Sequence, residues 1–162
     1  MSANLVYYSL DGTIGQFFQD ETATRQECDD LAVSLLGSPV RPMPIQGLWS
    51  YTVAGLSTDS LVQSRKETAA LDMELVKRAR DTYGAFVADC TYHGPVGQSP
   101  SLLVYVMEKL PGEPYIQNRP TPKDGLLSPA EESRTVATVI DFARLVPSRL
   151  AIPAHAPNRA II

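Results

Sequence analysis

Two histidines, His93 and His155, and two cysteines, Cys28 and Cys90, are the side chains best suited to act as base, nucleophile or metal ligand. Their placement argues against most of that chemistry. A nucleophilic triad needs a histidine beside a serine or cysteine, and an acid that orients it. His93 has Asp89, Cys90 and Tyr92 near it, but neighbours on a strand point to opposite faces, and His93 reads as a turn residue. His155 stands in a tail between prolines and reads as solvated. Two histidines so far apart give no metal signature, and neither cysteine lies in a Cys-x-x-Cys. Both cysteines read as small buried hydrophobes. Asp29-Asp30 and Glu131-Glu132 stand near helix starts, where acids suit the dipole. A set fitted for binding remains. Trp49 and Tyr51 share one strand face by alternation, with Ser50 and Thr52 on the other. Tyr105 and Met107 share a face of a later strand. With an amide such as Gln63, these side chains suit an apolar pocket in which shape and a few donors orient a ligand. No residue is assigned a catalytic role.

The composition bounds what that set serves. The chain has 162 residues, 44% hydrophobic and 20% charged, which suits one domain with a packed core. The formal charge is -4 and no basic run occurs. Nucleic acid is therefore not expected as the main partner, because phosphate contacts need clustered cations. No apolar run approaches the roughly 20 residues that span a bilayer. Met1 to Asp11 is neither basic nor continuously apolar, so no secretory signal is visible. A cytoplasmic protein without a membrane span is expected.

Several elements position the binding set. Residues 20–36 read as a first helix: Cys28, Leu31, Ala32, Leu35 and Leu36 form one stripe. Thr24 and Glu27 suit a capping box, and Gly37 a stop. Three prolines between Ser38 and Pro44 allow only an edge strand or an extended segment. Leu48 to Val53 and Ser60 to Arg65 read as a hairpin. A second helix covers 67–82, with Ala70, Leu71, Met73, Leu75, Val76 and Ala79 on its apolar face. Phe86 to Tyr92 and Leu102 to Met107 read as strands joined by a loop from His93 to Ser101. Residues 111–129 read as a proline-rich linker or lid. Ser128, Pro129 and Glu131 start a last helix over 128–145, with Val136, Val139, Ile140 and Ala143 as its apolar face. Residues 1–146 are thus expected as one domain and 147–162 as a C-terminal tail. Strands joined by short turns, with helices packed on them, make an α+β domain with an antiparallel sheet.

Gln46-Gly47-Leu48-Trp49-Ser50-Tyr51-Thr52-Val53 is followed by Leu61-Val62-Gln63-Ser64-Arg65, Leu71-Asp72 and Tyr83-Gly84-Ala85-Phe86-Val87. Then come Leu103-Val104-Tyr105-Val106-Met107 and Leu110-Pro111-Gly112. This ordered series, over roughly residues 30–146, resembles the small lobe of the aminoglycoside-phosphotransferase-like family. That family has a protein-kinase-like fold, and the form resembled is the one common in filamentous fungi. Asp141-Phe142-Ala143-Arg144 is similar to the first helix of the family's large lobe. The resemblance implies a curved antiparallel sheet of about four or five strands, with one helix inserted after the third. It implies that Gln46 to Ser50 covers nucleotide phosphates, although Gly47 is its only glycine. The third strand of the family carries a phosphate-pairing lysine. Gln63 and Arg65 stand nearest here; Gln63 has no charge, and Arg65 supplies one only if the register shifts. Glu74 stands where an acid would orient that lysine, and Met107 to Gly112 where a hinge would bind adenine. The family's catalytic base and metal-binding aspartate lie in a His-Gly-Asp loop and a later acidic motif, and this sequence has neither. His93-Gly94 is followed by Pro95. Phosphoryl transfer needs a metal and a positioned base, so a kinase is not expected.

Without a large lobe the cleft face needs a cover, because soluble proteins rarely leave a large apolar patch open. The proline-rich segment, the last helix and tail, a second copy in a homodimer, or another protein could supply it. The first expectation is a cofactor-free enzyme of a fungal natural-product pathway. Its former nucleotide cleft, lined from Trp49, Tyr51, Gln63, Arg65, Glu74, Tyr105 and Met107, would fold a small apolar molecule for cyclisation of the Diels–Alder type. No cofactor or metal is needed for that. The second expectation is a pseudokinase-like binding or regulatory module that docks on a partner protein.

Overall fold

The computed structural model describes residues 8–112 and 128–144. Its elements are α1 (Leu10–Phe18), α2 (Arg25–Leu36), β1 (Val40–Pro42), β2 (Ser50–Gly55), β3 (Ser60–Lys66), α3 (Met73–Tyr83), β4 (Cys90–Val96), β5 (Leu102–Glu108) and α4 (Pro129–Arg144). The strands form one antiparallel sheet in the order β1-β2-β3-β5-β4. The domain is therefore α+β, with an open five-stranded sheet. β3 and β4 both run antiparallel to β5, so they are parallel to each other. A parallel pair needs a long crossover, and α3 lies within it.

Register separates the sheet into two faces. Tyr51 pairs with Ser64 and Val53 with Val62; Ser64 pairs with Val104 and Val62 with Val106. These side chains form the first face, and all but the half-buried Val106 are buried with Ile14 and Phe17 of α1 and with Cys28 and Ala32 of α2. The second face carries the intervening residues: Thr52 pairs with Gln63, Gln63 with Tyr105, and Tyr105 with Tyr92. The segment from Glu67 to Asp72 lies across this second face, where Arg65 Nε donates to Ala69 O at 2.6 Å and the Leu71 amide to Tyr105 Oη at 3.2 Å.

Helix α2 begins and ends as its sequence directs. Thr24 and Glu27 form the capping box, and Gly37 closes the helix at φ 60°. The expected start at residue 20 is corrected to Arg25. Residues 20–23 instead join α1 to α2, with Ala23 buried and Glu21 paired to Lys66 at 2.7 Å. Helix α1 was not read from the sequence, because Gly12 and Gly15 each cost about 1 kcal/mol relative to alanine in a helix. Burial of Ile14 and Phe17 and the Ser9 N-cap hold it.

The second expected helix is also shorter than its pattern. Glu67–Ala69 forms a 3-10 turn and α3 starts at Met73, after Asp72 caps the Leu75 amide at 3.0 Å. Leu75, placed by sequence on the apolar face, is 60% exposed. The expected strand over 86–92 and loop over 93–101 are redrawn. Gly84–Phe86 is a 3-10 turn, and the strand runs from Cys90 to Val96. Gly94 at φ 99° and a bulge between Tyr92 and Gly94 admit a glycine and a proline into this strand. Pro95 lacks an amide proton, which is tolerated because β4 is an edge strand. Strand β1, with Pro42, occupies the other edge. The last expected helix forms as α4. Glu131 Oε2 accepts from the Ser128 amide at 2.8 Å, and Ser128 Oγ accepts from the Glu131 amide at 3.4 Å. Most of the proline-rich linker and all of the tail lie outside the described residues, as does the side chain of Ala143.

Candidate functional site

A short loop joins β1 to β2, and Gln46 fastens its base. This side chain is 7% exposed. Its Nε2 donates to Met43 O at 2.9 Å and Thr52 O at 2.8 Å, while its Oε1 accepts from the Thr52 amide at 2.8 Å. A buried amide lowers the free energy of a fold only when its polar atoms are matched in this way. With Gln46 turned inward, Leu48 and Trp49 project at the loop tip, 66% and 57% exposed. Trp49, Leu48, Phe17, Thr13, Asp20 and Lys66 line an open hollow of about 240 Å³, joined by Gln16. The Lys66 ammonium lies 5.5 Å from the Phe17 ring centroid. Sequence reading found Trp49 and missed this surrounding, because α1 was not foreseen.

The remaining candidates separate between the two faces. Tyr51 lies on the helix-covered face, 1% exposed. Its hydroxyl donates to Asp29 Oδ1 at 2.8 Å, and its ring meets Phe18 edge-on at 5.1 Å. Burial, followed by the Asp29 contact, pushes its phenol well above the ordinary tyrosine range. Tyr51 is a core residue and is not open to a ligand. The expected strand from Leu48 to Val53 had placed it beside Trp49 by alternation; β2 begins only at Ser50, and Leu48 and Trp49 lie in the turn before it, where alternation does not hold.

Gln63, Arg65, Tyr105 and Met107 share the second face, as their pairing register requires. Three of them are engaged inside the domain. Gln63 Nε2 donates to Thr52 Oγ1 at 3.0 Å, and Arg65 Nη1 donates to Gln63 Oε1 at 2.8 Å. Arg65 Nε and Tyr105 Oη hold the segment before α3, and Tyr105 is 2% exposed. A continuous polar row thus runs from Gln46 through Thr52, Gln63 and Arg65 to Ala69. Met107 is half-buried beside Cys90, its cross-strand partner.

Glu74 does not join this row. It is exposed in the first turn of α3 and makes no ion pair among the described residues. It lines a second open hollow, of about 440 Å³, with Met73, Lys77, Arg80, Asp89 and Cys90 among its neighbours. Arg80 reaches Glu108 at 3.3 Å and also donates to Val87 O. The start of the Met107–Gly112 segment is likewise tied down. The Glu108 amide donates to Asp89 O, and the Lys109 amide to Asp59 O, each at 2.9 Å.

The conventional reactive groups are quiet. Burial raises the Cys28 thiol to about 11, against a lowering by the Ser64 hydrogen bond, and burial also raises Cys90. Neither is a thiolate at neutral pH, so neither is poised as a nucleophile. His93 is exposed on the bulged edge strand. Among the described residues no group of three or more His, Cys, Asp or Glu side chains could hold a metal ion, and no helix is long and apolar enough to cross a membrane.

Arg65 is the residue whose removal should loosen the second face. Arg65→Met keeps the length of the stem and removes its hydrogen bonds to Ala69 and Gln63. A loss of about 1.5–3 kcal/mol is expected, the range for a hydrogen bond that involves a charged group. Hydrogen exchange should quicken at the Leu71 amide while the core amides of β2 stay protected; unchanged exchange at Leu71 would contradict the latch.

No family model matches this chain, and no curated protein and no solved structure matches it.

Proposed function

We propose that this chain is a protein-docking module, built on a kinase-like small lobe, that transfers no phosphoryl group. The carrying observation is the division of side chains at the would-be nucleotide face. Gln46, Gln63, Arg65 and Tyr105 are bonded inside the domain, while Leu48 and Trp49 stand outside it. The five-stranded antiparallel sheet and the helix α3 after β3 are the features that support the resemblance to the small lobe of the aminoglycoside-phosphotransferase-like family. Arg65 stands near the lysine position, but its guanidinium already has two internal acceptors. The first hinge amides have internal acceptors as well.

Cyclisation by shape alone asks for an enclosed apolar cavity that holds a folded substrate. Three hollows among the described residues are open, and each carries charged side chains in its wall. Docking is therefore the better supported of the two readings. An exposed tryptophan is the type of anchor that dominates protein interfaces. The hollow beside it suits one aliphatic or aromatic side chain of a partner polypeptide.

Trp49 is the only tryptophan in the chain, so its emission reports the site directly. Selection of displayed random peptides on the wild-type chain, with counter-selection on Trp49→Ala, should enrich peptides with a bulky apolar anchor. Their binding should shift Trp49 emission to shorter wavelength and fall at least about tenfold in Trp49→Ala, the effect of losing a hot-spot side chain. Peptides that bind both forms equally, or no enrichment at all, would contradict docking at this loop.

A further inference from the structure

The hollow beside Trp49 has two charged side chains in its wall, Asp20 and Lys66. They are not in the same state. Lys66 is already matched inside the domain: its ammonium lies 2.7 Å from Glu21 Oε1, the two side chains being 22% and 7% exposed, and it rests against the Phe17 ring. Asp20 is exposed, and it makes no ion pair and no side-chain hydrogen bond among the described residues. It stands just past the end of α1, whose last turn carries no basic residue. The negative end of the helix dipole therefore adds to the Asp20 carboxylate. Gln16 lies one turn before Asp20 in the same wall, and its side-chain amide also has no partner among the described residues. With Lys66 matched by Glu21, the field left in the hollow is negative, and its unused acceptors are Asp20 and Gln16.

We propose that the polypeptide docked at Trp49 carries a basic side chain, arginine above all, close in sequence to its apolar anchor, and that Asp20 accepts it. This rests on the docking reading above and names the chemistry of the partner. A guanidinium fits the place better than an ammonium. Its planar fork matches a carboxylate with two parallel hydrogen bonds, and its flat face can lie on an exposed indole. A hollow of about 240 Å³ is spanned by about two or three residues of extended chain, at about 3.4 Å each. The cation and the anchor therefore stand within about three positions of each other. An acidic residue at that place would meet repulsion from Asp20 and from the end of α1, which selects against such partners.

The test uses the full chain and random linear peptides displayed on phage, keeping those whose binding is lost in Trp49→Ala. These should carry arginine or lysine within about three positions of the apolar anchor. A synthetic peptide of the consensus sequence is then titrated, with Trp49 emission as the readout. Asp20→Asn should raise Kd about threefold, the scale of one exposed ion pair, and Asp20→Arg about tenfold, because repulsion replaces attraction. Exchanging the basic residue of the peptide for glutamate should bring its Kd for Asp20→Arg to within about threefold of the wild-type pair. That recovery also shows that the variant is folded. Trp49-dependent peptides without a basic residue near the anchor, a Kd unmoved by both Asp20 variants, or no recovery with the glutamate peptide would overturn this inference and leave docking at the loop standing. An absence of Trp49-dependent peptides would overturn both.

Discussion

Tyr51→Ala lowers the free energy of unfolding by about 3–5 kcal/mol, the range for deleting a buried aromatic ring. The side chain is 1% exposed, and it sits where both helices meet the sheet. Its ring touches Phe18 edge-on and lies 6.4 Å from Phe17, and Arg25 approaches its face at 6.0 Å. Alanine leaves a cavity on three sides and frees Asp29 of its hydroxyl partner. An ordinary domain has about 5–15 kcal/mol in total, so this one change removes a large share. Urea titration followed by far-ultraviolet circular dichroism should show an earlier midpoint with an unchanged slope. Tyr51→Phe keeps the ring and removes only the bond to Asp29, so it should cost about 1 kcal/mol. Equal losses in the two variants would mean that the hydroxyl, and not the packing, carries the residue.

Gly97→Ala has an effect of similar size from a different cause. Gly97 sits at φ 85°, where a Cβ is strained by roughly 1–2 kcal/mol. An added Cβ would also come within 2.8 Å of both Ala23 Cβ and Thr22 Oγ1, and 2.9 Å of the Ala23 amide nitrogen. Forced overpacking adds about 1–3 kcal/mol. The position matters because Thr22 fastens the β4–β5 turn to the start of α2. Its hydroxyl accepts from the Gln98 amide and donates to Gln98 O, both at 2.8 Å. A loss of about 2–5 kcal/mol in urea midpoint analysis is therefore expected. Gly84→Ala serves as the control. It also has positive φ, at 59°, but nothing stands within 4 Å of its added Cβ, so it should lose only the strain. A Gly97→Ala loss no greater than that of Gly84→Ala would show that the turn does not press on α2.

These two residues also mark what was legible in the chain. The β2–β3 hairpin, α2 with both caps, and α4 with its capping box follow from local signals: alternation, a stripe, a Thr-x-x-Glu and a Ser-x-x-Glu. The α+β class follows from their order. Helix α1 escaped because two glycines depress its propensity, and its reason for folding is long-range, in the packing of Phe17 on Tyr51. Strand β4 escaped because Gly94 and Pro95 read as loop, which is correct for an interior strand and wrong for a bulged edge. The site divided in the same way. Register placed Gln63, Arg65, Tyr105 and Met107 on one face, as alternation allows. No local pattern could tell that Gln46 and Gln63 both bond to Thr52 and Arg65 to Gln63, or that Tyr51 faces two helices while Trp49 faces solvent. Those facts depend on partners up to 22 residues away.

Titration of the isotopically labelled full chain with Mg-ATP, followed by amide and side-chain chemical shifts, tests the central claim most directly. On the reading proposed above, the residues that the resemblance sets nearest a nucleotide are bonded within the domain. Gln46 Nε2, the Arg65 guanidinium and the amides of Glu108 and Lys109 should therefore hold their shifts up to millimolar nucleotide, the level at which binding free energy falls to about -4 kcal/mol. Trp49 emission should stay unchanged as well. Saturable shifts at Arg65 and at Glu108 and Lys109, with a micromolar Kd, would show that the internal bonds yield to a nucleotide and would contradict the account.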